Sequence, residues 1–204
     1  MTKGQPGLRE RKKAATREAL SWAALRLAVE RGLENVRVED IAAAAGVSPR
    51  TYNNYFSSKA EAIVHRHRER ILRSAEVLRQ RPAGEPLWEA LTRALLAPYD
   101  GMPEQPDPQW TAGIRLVLRE PALQAELMRD GARTAAGLAA AVAARTGTDP
   151  HRDLYPKLVT AAALAAVKAA NDQYLAADPP VPFQSLLAEA LRQLAAGLPD
   201  PSHQ

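Results

Sequence analysis

Apolar residues recur along most of this chain at intervals of three and four, the spacing of one face of an α-helix. Leu20, Ala23, Ala24, Leu27 and Ala28 form the first clear stripe and predict a helix over about Leu8 to Arg31, stopped at Gly32. Val38, Ile41, Ala42 and Ala45 predict a second, shorter helix over 38–45. Gly46-Val47-Ser48 reads as a turn. Ser48 as N-cap and Pro49 at the first helical position then open a third helix, ending near Phe56. Ser58 is expected to cap a long fourth helix from Lys59 to about Gln80. Beyond the linker 81–86, helices are expected at about Leu87 to Tyr99, Gln109 to Arg119, Ala122 to Thr146, Arg152 to Ala177 and Phe183 to Gly197. The stretch 98–108, with four Pro and one Gly, is a loop. Val, Ile, Thr, Phe and Tyr never alternate over a useful length, so no strand is expected. The pattern predicts an all-α chain of about nine helices.

At 204 residues and 46% hydrophobic, the chain can hold a small domain joined to a medium one, each with a core. It contains no Cys, which excludes a disulfide framework and thiolate chemistry. Met1 to Gly7 is polar, and the apolar stretches are interrupted by Arg, Lys or Asp, so no leader or membrane span is expected and the location reads as cytoplasmic. Charge adds more when it is split. Residues 1–81 hold 17 Lys and Arg against 9 Asp and Glu, whereas residues 82–204 hold 10 against 14. A basic first part on a mildly acidic body fits a nucleic-acid-binding module fused to something else, or an Arg-rich solvated surface.

The second and third helices decide between these. Two short helices joined by a three-residue turn containing Gly make a helix-turn-helix. Ala42 and Ala45 are small where the helices cross, Gly46 can take the positive φ of a sharp turn, and Val47 plugs the corner. The outer face of the third helix carries Arg50, Asn53, Asn54 and Tyr55 and no acidic residue, as a helix entering the major groove requires. An Asn on that face can pair with adenine N6 and N7, a contact worth roughly 1–3 kcal/mol of discrimination. The basic stretch Arg9 to Lys13 can reach the minor groove or phosphates, or form a solvated end.

These residues carry a family resemblance. Thr16-Arg17, Leu20, Ala23-Ala24-Leu25, Leu27, Gly32, Val38, Asp40-Ile41-Ala42, Ala45-Gly46-Val47-Ser48, Thr51, Phe56 and Ser58-Lys59 stand at the spacing of the DNA-binding domain of the TetR family of one-component repressors, which the stretch Arg17 to Lys59 resembles without gaps. The resemblance implies a three-helix DNA-binding domain over 8–58 and a helical ligand-binding and dimerisation domain over 59–198. It implies that Ser48, Arg50 and Thr51 contact phosphates or bases, that Tyr55 and Lys59 grip the backbone, that Arg17 faces a phosphate, and that Tyr52 is buried. Two positions depart from the family. Arg37 stands where a capping Thr is usual, so the capping box is expected to be lost, and Asn53 stands where an aromatic is common.

For the body, the resemblance implies a small-molecule effector and a homodimer on a palindromic double-stranded DNA operator. Leu158, Ala162, Ala165, Leu187, Leu191 and Leu194, on the last two helices, are the candidate dimer residues, forming a four-helix bundle with their copies. Trp88, Leu91, Leu95, Tyr99, Trp110, Ile114, Leu118, Leu138 and Val142 are the candidate pocket lining, with Arg115, Arg119 or Arg133 meeting an anionic end. Glu85-Pro86-Leu87-Trp88-Glu89-Ala90, Arg115-Leu116-Val117-Leu118, Pro121-Ala122-Leu123 and the Ala-rich helix after Leu158 are similar to the acyl-CoA-responsive, mycofactocin-regulator-like subgroup. That implies a long apolar pocket for a fatty acyl-CoA. No nucleophile elbow, phosphate-cradling Gly loop or zincin pattern is present, so an enzyme is not expected, nor a cofactor or metal. His65 and His67 are two apart and diverge, and His65 with Glu69 lacks further ligands. The competing reading is a DNA-binding regulator without a small-molecule ligand, controlled by a protein partner.

Overall fold

The computed structural model describes residues 7–101 and 108–200. These form nine α-helices: α1 Leu8–Arg31, α2 Val38–Ala44, α3 Pro49–Asn53, α4 Lys59–Gln80, α5 Leu87–Leu96, α6 Pro108–Arg119, α7 Pro121–Thr146, α8 Leu154–Ala176 and α9 Phe183–Ala195. A 3₁₀ turn, Ala97–Tyr99, extends α5. No strand occurs among the described residues, so the all-helical expectation holds. The helix limits lie close to those read from the apolar pattern. The main difference is α3, which ends at Asn53 because the Tyr55 and Phe56 N–H groups both turn back to the Tyr52 carbonyl, at 2.8 and 3.0 Å. The basic residues Arg9 to Lys13 are the exposed first turns of α1. Most of the expected 98–108 loop lies outside the described residues.

Packing divides the chain into two units. One comprises the chain up to Arg66 with Ala112–Leu127; the other comprises His67–Thr111 with Met128 onward. The sequence places the boundary at 58/59, whereas the packing boundary falls inside α4, and α6 and α7 also contribute to both units.

The first unit is built on the apolar stripe of α1. Leu20, Ala24 and Leu27 are buried with Ile41 and Ala42 of α2 and Tyr52 of α3. Leu123, from the start of α7, is fully buried in the same cluster, with Leu116 and Val117 of α6 packed against it. Burying a Leu or Ile side chain contributes roughly 1.5–3 kcal/mol. The buried Ser21 hydroxyl is satisfied by the Ala62 carbonyl of α4. Gly32 ends α1 at φ 82°, and its N–H closes on the Ala28 carbonyl. A side chain there would be strained by that φ and would also meet the Glu34 carboxylate.

In the second unit, α9 lies against both α5 and α8. Leu91 and Leu95 of α5 and Leu187 and Leu191 of α9 are fully buried, and Ala163, Ala166 and Ala170 give α8 a small-residue face. The linker 81–86 is clasped rather than loose. Glu85 pairs with Arg81 at 2.7 Å and Arg93 at 2.5 Å, and Arg145 of α7 donates to the carbonyls of Arg81, Pro82 and Glu85. Hydrogen bonding to Arg81 holds the Glu85 carboxyl below the usual carboxylate range against a smaller opposing effect of burial.

This cluster sets a pH dependence. A depressed carboxyl stabilises the fold above its unfolded value of about 4.3, and that contribution is lost as pH falls through the lower folded value. Glu85→Gln is therefore expected to lower the urea midpoint at pH 7, with the gap to wild type closing at acid pH. A gap that stays constant down to the acid limit of folding contradicts it.

Candidate functional site

The turn between α2 and α3 is fixed at both ends by backbone chemistry. Gly46 takes φ 69°, its N–H meets the Ala43 carbonyl at 3.0 Å, and the Val47 N–H reaches the Ala42 carbonyl at 2.9 Å. This pair of bonds is a Schellman motif, which satisfies the last carbonyls of α2. On the far side the Ser48 hydroxyl accepts from the Thr51 N–H at 3.1 Å and lies 2.9 Å from the Thr51 hydroxyl. Arg37 precedes α2 and is exposed. The Asp40 carboxylate accepts from the Arg37 backbone N–H at 3.1 Å, so half of the capping box expected to be lost is kept without a Thr.

Tyr52 anchors α3. Its ring is fully buried 5.9 Å from that of Phe56, and its hydroxyl donates to the Ser58 carbonyl at 2.9 Å. Burial, then the charge of Glu61, raises the pKa of this phenol, which stays neutral. With Tyr52 inward, Arg50, Asn53 and Asn54 are exposed, and Thr51 and Tyr55 are half-buried. Arg17 of α1 sits with its guanidinium 5.5 Å from the centre of the Tyr55 ring, and its Nε is buried with no acceptor among the described residues. A stacked guanidinium keeps its remaining N–H groups for another acceptor. Ser58 caps α4 as expected, accepting from the Glu61 N–H at 3.0 Å.

Lys59 takes a different place from the one its family position implies. Its ammonium donates to the carbonyls of Leu33 at 2.8 Å and Val36 at 2.6 Å, in the loop between α1 and α2. Two of its three donors hold that loop, so the residue serves the structure of the unit first. The remaining DNA candidates Arg17, Arg37, Ser48, Arg50, Thr51, Asn53, Asn54 and Tyr55 all belong to the first unit.

The effector candidates separate. Trp88, Leu91, Leu95, Tyr99, Trp110, Leu138 and Val142 belong to the second unit, whereas Ile114, Arg115 and Leu118 belong to the first. Leu91, Leu95, Leu138 and Val142 are fully buried in the apolar interior. Arg115, Arg119 and Arg133, the candidates for an anionic end, are exposed. A cationic side chain among aromatics exists elsewhere. Arg70 of α4 lies 4.4 Å from the Trp110 ring centre and 5.6 Å from that of Tyr99. Phe183 packs with Tyr99 at 4.8 Å, Tyr174 at 6.2 Å and Trp110 at 6.3 Å. The sequence signal for Arg70 was its register: it falls on the same helical stripe as Ile71, Ser74 and Leu78, which are buried.

The dimer candidates fall into two groups by exposure. Leu187 and Leu191 have no exposed surface and fill the chain's own interior. Leu158 is 59% exposed, Ala165 is exposed, and Ala162 and Leu194 are half-buried. Leu154 and Tyr155 extend the exposed apolar strip along α8.

Comparison with known proteins agrees with this geometry. Residues 22–63 match the family Bacterial regulatory proteins, tetR family, and residues 85–199 match the family MftR C-terminal domain. The chain is 37% identical to the HTH-type transcriptional regulator TcmR of Streptomyces glaucescens, over 87% of this chain and 81% of the relative. It is 29% identical to MftR of Mycobacterium tuberculosis, a regulator named for mycofactocin biosynthesis, over 92% and 93%. Thermus thermophilus FadR, a repressor solved in complex with lauroyl-CoA, superimposes with TM-score 0.56 at 19% identity, over 90% of this chain and 95% of that one. The relatives are transcriptional regulators, not enzymes.

The two cations predict opposite outcomes in denaturation. Lys59→Met removes the ammonium that the Leu33 and Val36 carbonyls share, leaving Leu33 only its 3.4 Å bond from the Val36 N–H, and is expected to cost about 1–3 kcal/mol. Arg50→Ala, at an exposed position, is expected to change stability by less than about 0.5 kcal/mol. Equal urea midpoints for Lys59→Met and wild type would show that the Lys59 bonds carry no stability.

Proposed function

This chain belongs to the tetR family of bacterial regulatory proteins, and we propose that it is a ligand-responsive repressor that binds a palindromic operator as a homodimer and leaves it when an apolar effector binds the body. The observation that carries the DNA-binding part is the face of α3. A capped turn and a buried Tyr52 present Arg50, Asn53 and Asn54 outward together. Arg50 supplies charge and a planar fork, and the two amides supply paired donor and acceptor groups for base edges. Arg17, Arg37, Ser48, Thr51 and Tyr55 surround this face as phosphate partners, and Lys59 keeps one donor for the same role. The protein acts on DNA in the cytoplasm; among the described residues no helix is long and apolar enough to cross a membrane.

Two-fold operators call for two recognition helices about 34–36 Å apart. The exposed strip of Leu154, Tyr155, Leu158 and Ala165 on α8, with Ala162 and Leu194 beside it, supports a dimer through this face. An effector weakens operator binding only by favouring the DNA-incompetent state, and typical couplings of about 1–3 kcal/mol correspond to roughly 5- to 150-fold. The MftR-type body and the lauroyl-CoA-bound fold neighbour support testing fatty acyl-CoAs as effectors.

Arg50→Ala and Asn54→Ala are expected to weaken binding to the native operator in a shift assay. Arg50→Ala should act at every site, whereas Asn54→Ala should reduce discrimination between sites by about 1–3 kcal/mol. Wild-type affinity in both variants would remove α3 as the recognition helix.

Leu158→Glu is expected to shift the protein to a monomer in light scattering while its helical content is unchanged. Leu187→Glu should instead unfold the second unit, because it buries an unpaired charge inside the chain. A Leu158→Glu variant that remains dimeric rules out the α8 face.

A further inference from the structure

The second unit holds an unusual combination: a guanidinium set against two rings of a four-ring aromatic cluster. Arg70 is half-buried over Trp110 and Tyr99, and Phe183 and Tyr174 close the cluster. No carboxylate of the described residues pairs with Arg70, although elsewhere in this unit Arg81, Arg93 and Arg68 all have acidic partners. The indole Nε1 of Trp110 is buried and has no acceptor among the described residues. The Trp110 N–H is thus buried without an acceptor among the described residues, which is costly unless something supplies one, and the charged Arg70 guanidinium lies beside the same ring. Both side chains keep some accessible surface. Burial lowers the pKa of Arg70, the effect expected of a cation lacking compensation. His67, one turn earlier on α4, is held neutral at pH 7, its pKa lowered to about 4 chiefly by burial.

We propose that Arg70, Trp110, Tyr99, Tyr174 and Phe183 form the binding site for a planar aromatic carboxylate, whose acid oxygens pair with the Arg70 guanidinium and the Trp110 N–H while its ring system packs against the aromatic side chains. This rests on the ligand-responsive reading above and names the class of its effector. The aromatic composition decides the body of the ligand. Tyr99 meets Trp110 at 81° and Tyr174 meets Phe183 at 87°, so edges and faces are both presented, and flat π-systems gain from such contacts beyond their buried area. The hydroxyls of Tyr174 and Thr111 are already paired with each other at 2.9 Å, and Arg70 and Trp110 supply the N–H donors of the cluster.

The test is calorimetry on the full-length protein with three probes: naphthalene carboxylate, naphthalene carboxamide and laurate. The carboxylate is expected to bind at least about tenfold more tightly than the isosteric amide, the size of one charge-assisted hydrogen bond. Arg70→Met should reduce the carboxylate to the level of the amide. Arg70→Lys, which keeps the charge but loses the planar fork, should fall between, and serves if the Met variant does not fold. Trp110→Phe should weaken the carboxylate more than the amide. Equal binding of carboxylate and amide, unchanged carboxylate binding in Arg70→Met, tighter binding of laurate, or no carboxylate binding at all overturns the proposal. Operator affinity is measured with each bound probe. Carboxylate binding that leaves operator affinity unchanged removes the switch reading while the site stands, and operator release by laurate alone keeps the switch and removes this site.

Discussion

A helix of five residues does not hold itself in water, because its nucleation cost is not recovered over so short a length. Everything α3 offers to DNA therefore depends on bonds made elsewhere. The Gly46 turn closes α2, the Ser48 hydroxyl opens α3, and the buried Tyr52 ring ties the helix to the core that α1 and α2 supply. Lys59 acts on the same arrangement from below by holding the Leu33 and Val36 carbonyls, which lead into α2. The polar face is thus ordered before a ligand arrives, and less ordering entropy has to be lost on binding.

The second unit solves a different problem. Its helices approach through alanines on α8 and leucines on α5 and α9, giving a tight aliphatic interior. Gly137 on α7 belongs to the same economy, since an added methyl there would stand 3.2 Å from Leu72 of α4. The aromatic cluster is different in kind, because it sets a cation against two rings and leaves an indole N–H buried without an acceptor among the described residues. A buried donor without an acceptor is what a core built only for stability avoids.

Much of this was legible from residue order. Periodicity placed the helices, and Gly46, Ser48 and Pro49 gave the turn and cap outright, because their roles are local and depend on a few neighbouring bonds. Long-range assignments were harder. An apolar face shows that a helix is covered, but not by what. Leu187 and Leu191 carry the same signal as Leu158, yet the first two meet their own chain and the third meets solvent. Lys59 looked like a surface cation, because carbonyls more than twenty residues earlier leave no trace in a hydrophobic pattern. Arg70 differs from Arg115 and Arg133 in sequence only by its register on a buried stripe, because the rings beside it come from segments much later in the chain. Leu123 was likewise assigned by sequence to the body, although its side chain completes the core beneath the recognition helix.

That last placement bears on how freely such regulators can exchange parts. A head cut at residue 58, or anywhere before α6, leaves the core around Leu20, Ile41 and Tyr52 without the leucine that fills it from α7. Loss of a buried Leu typically costs about 2–5 kcal/mol where the space cannot collapse, a large share of the stability of a small domain. Chimeras that graft this head onto a foreign body must therefore carry the 112–127 segment with it, or find in the new body a helix that presents an equivalent leucine. Recombination between relatives is held to the same rule: crossovers that keep residues 1–66 and 112–127 from one parent preserve the head, and those that separate them do not.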